Sequence, residues 1–310
     1  MDKVFNLKIT EHKQLNHNTI LIECEPADNQ SKIPRFEVSS FAYIYTDDKN
    51  YKRPYTPIYC DEKKVIFAVK IYEKGLLTQF LNKKRKNDEI ICSYPLFKTP
   101  FNTKHKDVLM IAGGTGITPM LQILDYVYTN RKNQNIVCKF TLFFCNLTLD
   151  DMFLIDMIEN FKDFTKIVHV IEKLNPQDYL KCVNEFENNS EKKTSQWINN
   201  KHENCSDSKD IESTNIESRK SQQKLNNHLN ITNGEFFYKD SRVISGRINE
   251  EIIRSEAEVE GTLLFDYVYV CGPPAMVANV CGPKTLTKEQ GPLFGMLKNI
   301  GFTSDNVYKF

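Results

Sequence analysis

The sequence predicts two domains in series: a small antiparallel β-barrel or sandwich, then a parallel α/β domain. Three observations carry this. From Asn6 to about Lys98 the apolar runs are short and split by polar turns, which is the rhythm of antiparallel strands. From Asp107 onward strand-like runs alternate with helix-like ones, as in a parallel sheet covered by helices. Finally, two strand ends run into turns rich in glycine and proline, Gly113–Met120 and Cys271–Met276. In an open parallel sheet such turns lie at one edge and can face one ligand.

The elements follow in order. Leu7–Ile9, Thr19–Ile22, Phe41–Tyr45 and Val65–Tyr72 read as strands, and Leu76–Leu81 as a helix between them. The domain boundary falls near Pro100–Asn102, giving domains 1–100 and 101–310. Strand 108–112 leads to helix 118–130, strand 138–144 to a helix over 150–160, and strand 167–171 follows. Between about Phe186 and Lys239 Asn, Lys, Ser and Glu dominate and Pro is absent. Such a segment cannot bury enough surface to offset its ordering entropy, so 186–240 is expected to be a disordered insertion, with Trp197 and Phe236–Phe237 able to dock locally. The fold resumes with strand 243–248, helix 249–257 and strand 265–270.

Composition narrows the function. The 310 residues suffice for two cores. A net charge of +1, from 41 basic and 40 acidic residues, gives no reason to expect a nucleic-acid partner. The nine cysteines form no CxxC pair and no metal-like spacing, which fits reduced thiols rather than disulfides, a metal site or an iron-sulfur cluster. No stretch approaches the ~18 apolar residues of a membrane span. A soluble, cytoplasmic, monomeric chain is expected, with peripheral membrane association left open; Asp2 after Met1 speaks against myristoylation.

The loop Gly113-Gly114-Thr115-Gly116-Ile117-Thr118-Pro119-Met120 is the first candidate site. Its glycines let backbone approach backbone or ligand, and Pro119 suits the first turn of a helix, where no N–H is lost. The helix start so exposed suits an anion such as pyrophosphate. Yet Pro119 replaces the third glycine of the dinucleotide fingerprint, and Cys145-Asn146 stands where its acidic residue would end the next strand. Alone, the loop reads equally well as a tight turn without ligand. Upstream, Arg53-Pro54-Tyr55-Thr56-Pro57 offers a guanidinium fork for phosphate, a flat ring and a hydroxyl. It too could be an ordinary turn.

Order decides between these readings. RPYTP at 53–57, VKIY at 69–72, GLLTQFL at 75–81, AGGTGITPMLQ at 112–122 and VCGPPAM at 270–276 occur in one series. This series closely resembles the NADH-cytochrome b5 reductases of the ferredoxin-NADP reductase superfamily. The segment from Cys281-Gly282-Pro283-Lys284 to Val307-Tyr308-Lys309-Phe310 resembles the family's fungal-type carboxyl end.

The resemblance implies an amino-terminal FAD-binding β-barrel, a carboxyl-terminal NAD-binding α/β domain, and the cofactors FAD and NADH. By motif match, Arg53 would neutralise the FAD pyrophosphate, with Pro54 beside it, Tyr55 would pack on the isoalloxazine, and Thr56 would bond near flavin N5. Val69, Ile71 and Tyr72 would line the flavin's path, and Leu76, Leu77 and Thr78 would open the helix that receives the pyrophosphate. Gly113, Gly114, Thr115, Gly116, Ile117 and Pro119 would form the NADH side, with Thr118 reaching toward FAD. Cys271 would stand by the hydride path, with Gly272, Pro273, Pro274 and Met276 closing the site. Lys70 would hold NADH, Glu172 would take the adenosine ribose, and Phe310 would help cover the nicotinamide. No metal is implied.

Asn87-Asp88 and Ser93-Tyr94-Pro95-Leu96 depart from the family's Gly-Asp and Gly-Pro turns. Asn at 87 can hold a left-handed conformation, whereas 93–96 puts the local loop and adenine contacts in question. The implied activity is hydride transfer from NADH to FAD, then single-electron transfer to cytochrome b5 or a similar acidic haem protein. Lys52, Lys83–Lys86, Lys104 and Lys106 are docking candidates. The alternatives are a diaphorase of the same fold serving a quinone, a ferric chelate or another haem protein, and a non-catalytic nucleotide-binding scaffold. Intact RPYTP and CGPP motifs argue against the scaffold.

Overall fold

A computed structural model describes residues 3–28, 31–174, 235–238 and 241–310. Most of the segment expected as an insertion, including Trp197, lies outside the described residues.

The first domain is a rolled antiparallel sheet of β1 (Val4–Asn16), β2 (Thr19–Pro26), β3 (Ser40–Tyr45), β4 (Lys52–Tyr55), β5 (Tyr59–Cys60), β6 (Val65–Lys70), β7 (Glu89–Ser93) and β8 (Leu96–Phe97). Its order is β4-β3-β7-β1-β2-β6-β5, with β8 paired to β3. Alternation builds the core: Leu7 and Ile9, Ile20 and Ile22, and Val65, Phe67 and Val69 point inward and are buried. Helix α1 (Leu76–Lys83) adds Leu77 and Leu81, one turn apart on one face. Pro54 is tolerated because β4 ends the ladder, where a missing N–H breaks no bond. Asn87 turns the chain into β7 at φ +75, the left-handed conformation anticipated for it.

The second domain is a seven-stranded sheet. It comprises β9 (Asp107–Gly113), β10 (Lys139–Asn146), β11 (Thr165–Ile171), β12 (Glu235–Tyr238), β13 (Ser241–Ser245), β16 (Tyr267–Cys271) and β17 (Val307–Lys309), with the ribbon β14 (Glu258–Val259) and β15 (Thr262–Leu263) apart from it. The order is β12-β13-β11-β10-β9-β16-β17, parallel except for the edge strand β12. Thus the last part of the 186–240 segment, 235–238, pairs with β13 instead of standing free. Helices α2 (Ile117–Gln134), α3 (Ile155–Glu159), α4 (Glu250–Ala257), α5 (Pro274–Cys281) and α6 (Met296–Ile300) cover the sheet. Period two sorts the two faces: Val108, Met110 and Ala112 pack with α2, while Leu109 and Ile111 pack with α4, α5 and α6.

The helix expected over 150–160 is shorter. Thr148 and Asp151 close a tight turn at Leu149–Asp151 through reciprocal side-chain and backbone bonds. Leu154, at φ +57, then interrupts the helical path before α3. Among the described residues no helix is long and apolar enough to cross a membrane, and no cluster of His, Cys, Asp or Glu could hold a metal.

Several contacts among the described residues join the domains. Ile58 and Ala68 of the barrel belong to the same apolar core as Ile117 and Met120. The Gln122 amide spans the Ser40 backbone, accepting from its N–H at 3.1 Å and donating to its carbonyl at 3.2 Å. Lys70 Nζ donates to Asp151 Oδ1 at 2.8 Å, and Asn18 Nδ2 donates to the same oxygen at 2.9 Å. Burial pushes the Asp151 carboxyl up, but the bonds from Lys70, Asn18 and Thr148 outweigh it and hold the group at about 2.

Because this folded value lies below the ordinary one, Asp151 stabilises the fold above pH about 3.8, and that contribution disappears as pH falls toward about 2. Asp151→Asn is expected to cost about 1.5–3 kcal/mol at neutral pH and to flatten the loss of stability across this window. Denaturant unfolding of both proteins at several pH values checks it; parallel profiles would contradict the assignment.

Candidate active site

A cleft of ≈1160 Å³ runs between the barrel and the carboxyl ends of the sheet strands. On its barrel wall, β4 delivers Arg53, Pro54 and Tyr55, and Thr56 follows. Tyr55 lies edge-on to Phe67 with ring centroids 6.4 Å apart, and burial raises its phenol above the usual range, so it is neutral. Arg53 is exposed and lines the cleft; among the described residues its side chain donates to the adjacent Lys52 carbonyl, and the guanidinium carries further N–H groups that can serve a ligand.

The start of α1 completes this wall. Its N-cap, Gly75, supplies no side-chain acceptor, which leaves first-turn amides facing the cleft. The Thr78 hydroxyl is already engaged: it accepts from Tyr72 N–H and gives its proton to the Gly75 carbonyl. Thr78 therefore shapes the turn, and the amides of 76–78 are placed where they can donate to an anion. Tyr72 and Leu76 are more than half exposed and line the cleft, as an apolar ring system requires.

Across the cleft, the turns after β9 and β16 lie back to back. A Cβ at Gly116 would overlap the Cys271 carbonyl, and one at Gly113 would stand 2.7 Å from Met276 Sδ. Only glycine permits this approach. Gly114, at φ +51 with open space beside its Cα, presents the loop toward the cleft. Thr118 is buried in the first turn of α2 and donates to the Thr115 carbonyl at 3.1 Å. The Cys271 thiol is pushed up to about 12 by burial, so it stays protonated. Phe310 packs on Tyr269 with ring centroids 5.5 Å apart and lines the cleft beside these turns.

The cleft gathers Arg53–Thr56, Lys70, Tyr72, Leu76–Thr78, Gly113–Gly116, Thr118, Pro119, Glu172, Cys271–Pro274 and Met276. Val69, Ile71 and Ile117 stand elsewhere. Val69 is fully buried inside the barrel, Ile71 packs on that core, and Ile117 belongs to the core under the sheet. The reason is the strand period: in β6, Ala68 and Lys70 face the cleft while Phe67 and Val69 face inward. Ser93–Leu96 do not line the cleft either; the buried Ser93 hydroxyl accepts from Tyr43 N–H and donates to the Tyr94 carbonyl.

Several cleft residues carry no motif and escaped the sequence reading. Asn146, at the end of β10, is buried with neither side-chain amide atom hydrogen-bonded, a polar group available to a ligand. Lys98, and Lys284 and Lys288 from one later loop, also line the cleft. Burial, then the charge of Lys98, pulls Lys284 down to about 8. Arg247 pairs with Glu172.

First-turn amides, an exposed guanidinium, a half-buried ring and the glycine-to-carbonyl packing of two strand-end turns fit a flavin dinucleotide on one wall and a nicotinamide dinucleotide on the other. Comparison with known proteins agrees. Residues 6–100 match the oxidoreductase FAD-binding domain family, and residues 110–182 match the oxidoreductase NAD-binding domain family. NADH-cytochrome b5 reductase 2 of Aspergillus clavatus is 26% identical over 98% of this chain and 77% of its own length. The protein of that name from Yarrowia lipolytica is 26% identical over 100% of this chain and 86% of its own.

The chain belongs to the cytochrome b5 reductase family of ferredoxin-NADP reductase-like flavoproteins.

It is an oxidoreductase whose cofactors are FAD and NADH. Its fold matches the cytochrome b5 reductase domain of Ulva prolifera nitrate reductase with a TM-score of 0.64 at 18% identity, covering 99% of this chain and 97% of that one. It also matches the CS-b5R domains of human Ncb5or, in their NAD+ form, with a TM-score of 0.64 at 17% identity, covering 100% and 70%.

The back-to-back turns give a sharp test. Gly116→Ala forces its methyl into the Cys271 carbonyl and is expected to cost about 1–3 kcal/mol while weakening NADH binding. Thermal melts with and without NADH read both effects; wild-type values for each would show that the close approach is not needed.

Proposed function

We propose that the chain is an FAD-dependent NADH-cytochrome b5 reductase. The observation that carries this reading is a single cleft in which the RPYT strand and the α1 amides face the GGTG and CGPP turns. FAD, when bound, accepts a hydride from NADH and returns electrons singly to a one-electron acceptor.

The chain's own residues bind, orient and exclude water. Arg53 and the amides of 76–78 neutralise the flavin's pyrophosphate. Tyr55, neutral and braced by Phe67, supports the ring system, and Thr56 supplies a hydroxyl at its edge. Gly113–Gly116 and Cys271–Pro273 form the floor for the nicotinamide. The Cys271 thiol is protonated, so it acts as a small apolar wall and not as a nucleophile. Lys70 is held by Asp151 and reaches the cleft in a fixed position. The unpartnered Asn146 amide and Glu172 receive the rest of the nucleotide.

The acceptor is an acidic haem protein. Lys98, Lys284 and Lys288 bring three cationic side chains to the lining of the cleft, where they would steer a negatively charged partner toward the flavin. Lys52 is a further contact, although its ammonium sits 4.3 Å from the Tyr43 ring centroid. Lys84 is paired with Asp47 and is less free. The seven described cysteines are all unpaired, which supports a reducing compartment, the cytoplasm.

Anaerobic titration of the FAD-loaded protein with NADH, followed by oxidised cytochrome b5, tests the proposal. Stoichiometric bleaching of the flavin and rapid reduction of b5 are expected, and Arg53→Ala should weaken FAD binding by about tenfold or more through loss of charge-assisted bonds. Bleaching without transfer to b5 would reject the acceptor. Failure to bind flavin would reject the enzyme.

A further inference from the structure

The far end of the cleft carries a pair of opposite charges. Strands β11 and β13 run parallel with Ile171 opposite Ser245, so the residues just beyond them, Glu172 and Arg247, emerge together. Gly246, at φ +112, donates its N–H to the Ile171 carbonyl at 2.8 Å and swings Arg247 over the strand end. The Arg247 guanidinium donates to Glu172 Oε1, and both residues line the cleft. This bond holds the Glu172 carboxyl below the usual range, so it is ionised. In the sheet order β13 lies three strands from β9, roughly 14 Å from the Gly113–Gly116 turn at the usual strand spacing. That places the pair at the adenosine end of a nucleotide laid across the strand ends.

A bare carboxylate at an adenosine ribose accepts the 2′-hydroxyl and repels a 2′-phosphate, whereas a nearby Arg accommodates one. Here both groups are present and bonded to each other. Arg247 cancels the charge of Glu172, and its side chain is 74% exposed, so it can turn outward with little desolvation. Its planar fork matches a phosphate through two parallel N–H bonds, and the adjacent exposed Lys173 adds positive charge.

We propose that Arg247 is a nucleotide-selectivity residue: by neutralising Glu172 and offering its guanidinium to a 2′-phosphate, it lets the site accept NADPH alongside NADH. The proposal rests on the reading of this cleft as the nucleotide site. Glu172 takes the ribose hydroxyls of NADH with Arg247 bonded behind it. A 2′-phosphate draws Arg247 off Glu172 and onto itself.

Two measurements on the full FAD-loaded chain separate this inference from the functional reading. Calorimetric titration with 2′,5′-ADP and with 5′-AMP reads the adenosine end without any electron transfer. Anaerobic flavin bleaching by NADPH and NADH reads the complete nucleotide. Arg247→Ala is expected to weaken 2′,5′-ADP and to lower the NADPH bleaching rate by about tenfold, the order expected for one charge-assisted phosphate contact. The diagnostic reading is the ratio: affinity for 2′,5′-ADP over 5′-AMP, and bleaching by NADPH over NADH, should each fall by about tenfold. Glu172→Gln should shift preference the other way, toward NADPH. Equal losses for both analogues, no change, or no binding of either analogue to the wild type would overturn the proposal. If the analogues behave as expected but neither dinucleotide bleaches the flavin, the reductase reading fails and this assignment stands.

Discussion

The function depends on the width of a cleft between two domains, and that width is fixed by the contacts at their junction. Gln122 grips the Ser40 backbone as a neighbouring strand would. Lys70 and Asn18 meet on one oxygen of Asp151, which is itself locked by Thr148 in a tight turn. Between these polar bolts, Ile58 and Ala68 share a core with α2. Such a junction combines apolar burial with geometrically specific bonds, so the two walls cannot slide without breaking one or the other. Proximity of flavin and nicotinamide follows from that rigidity.

The cleft mixes cationic, neutral and paired groups. Lys98, Lys284 and Lys288 line the cleft with Arg53 and Lys70, neutral groups such as Tyr55 and Cys271 share it, and the ends of β11 and β13 bring the balanced pair Glu172 and Arg247. The cationic groups suit attraction of an anionic acceptor, the neutral ones suit stacking of ring systems, and the pair at the ends of β11 and β13 suits recognition of an adenosine ribose with or without a phosphate. Lys284 shows the cost of crowding cations, since burial and Lys98 together bring it to about 8.

Much of this was legible in the sequence because it follows from local rules. Period-two burial marked the strands of both domains, Pro119 and the glycines marked the start of α2, and the left-handed need at Asn87 could be read from its replacement of glycine. Errors arose where a motif was read as a block. In VKIY alternate residues face opposite sides, so Lys70 lines the cleft while Val69 does not. The helix over 150–160 failed because Asp151 bonds back to Thr148 and Leu154 adopts a left-handed conformation, neither of which periodicity reveals. Arg247 and Asn146 were hidden because they stand alone in sequence and meet the site only through the order of strands in the sheet. A lone basic residue just past a strand end is a weak signal until its neighbour strand is known.

The most direct test of a fixed cleft is the face of the nicotinamide from which hydride leaves. NADH stereospecifically deuterated at either C4 position can be oxidised by the FAD-loaded protein and the resulting NAD+ weighed by mass spectrometry. A nicotinamide held in one orientation against the flavin loses its label completely from one face and retains it completely from the other. A mixture from both faces would mean that the junction does not set the geometry of transfer.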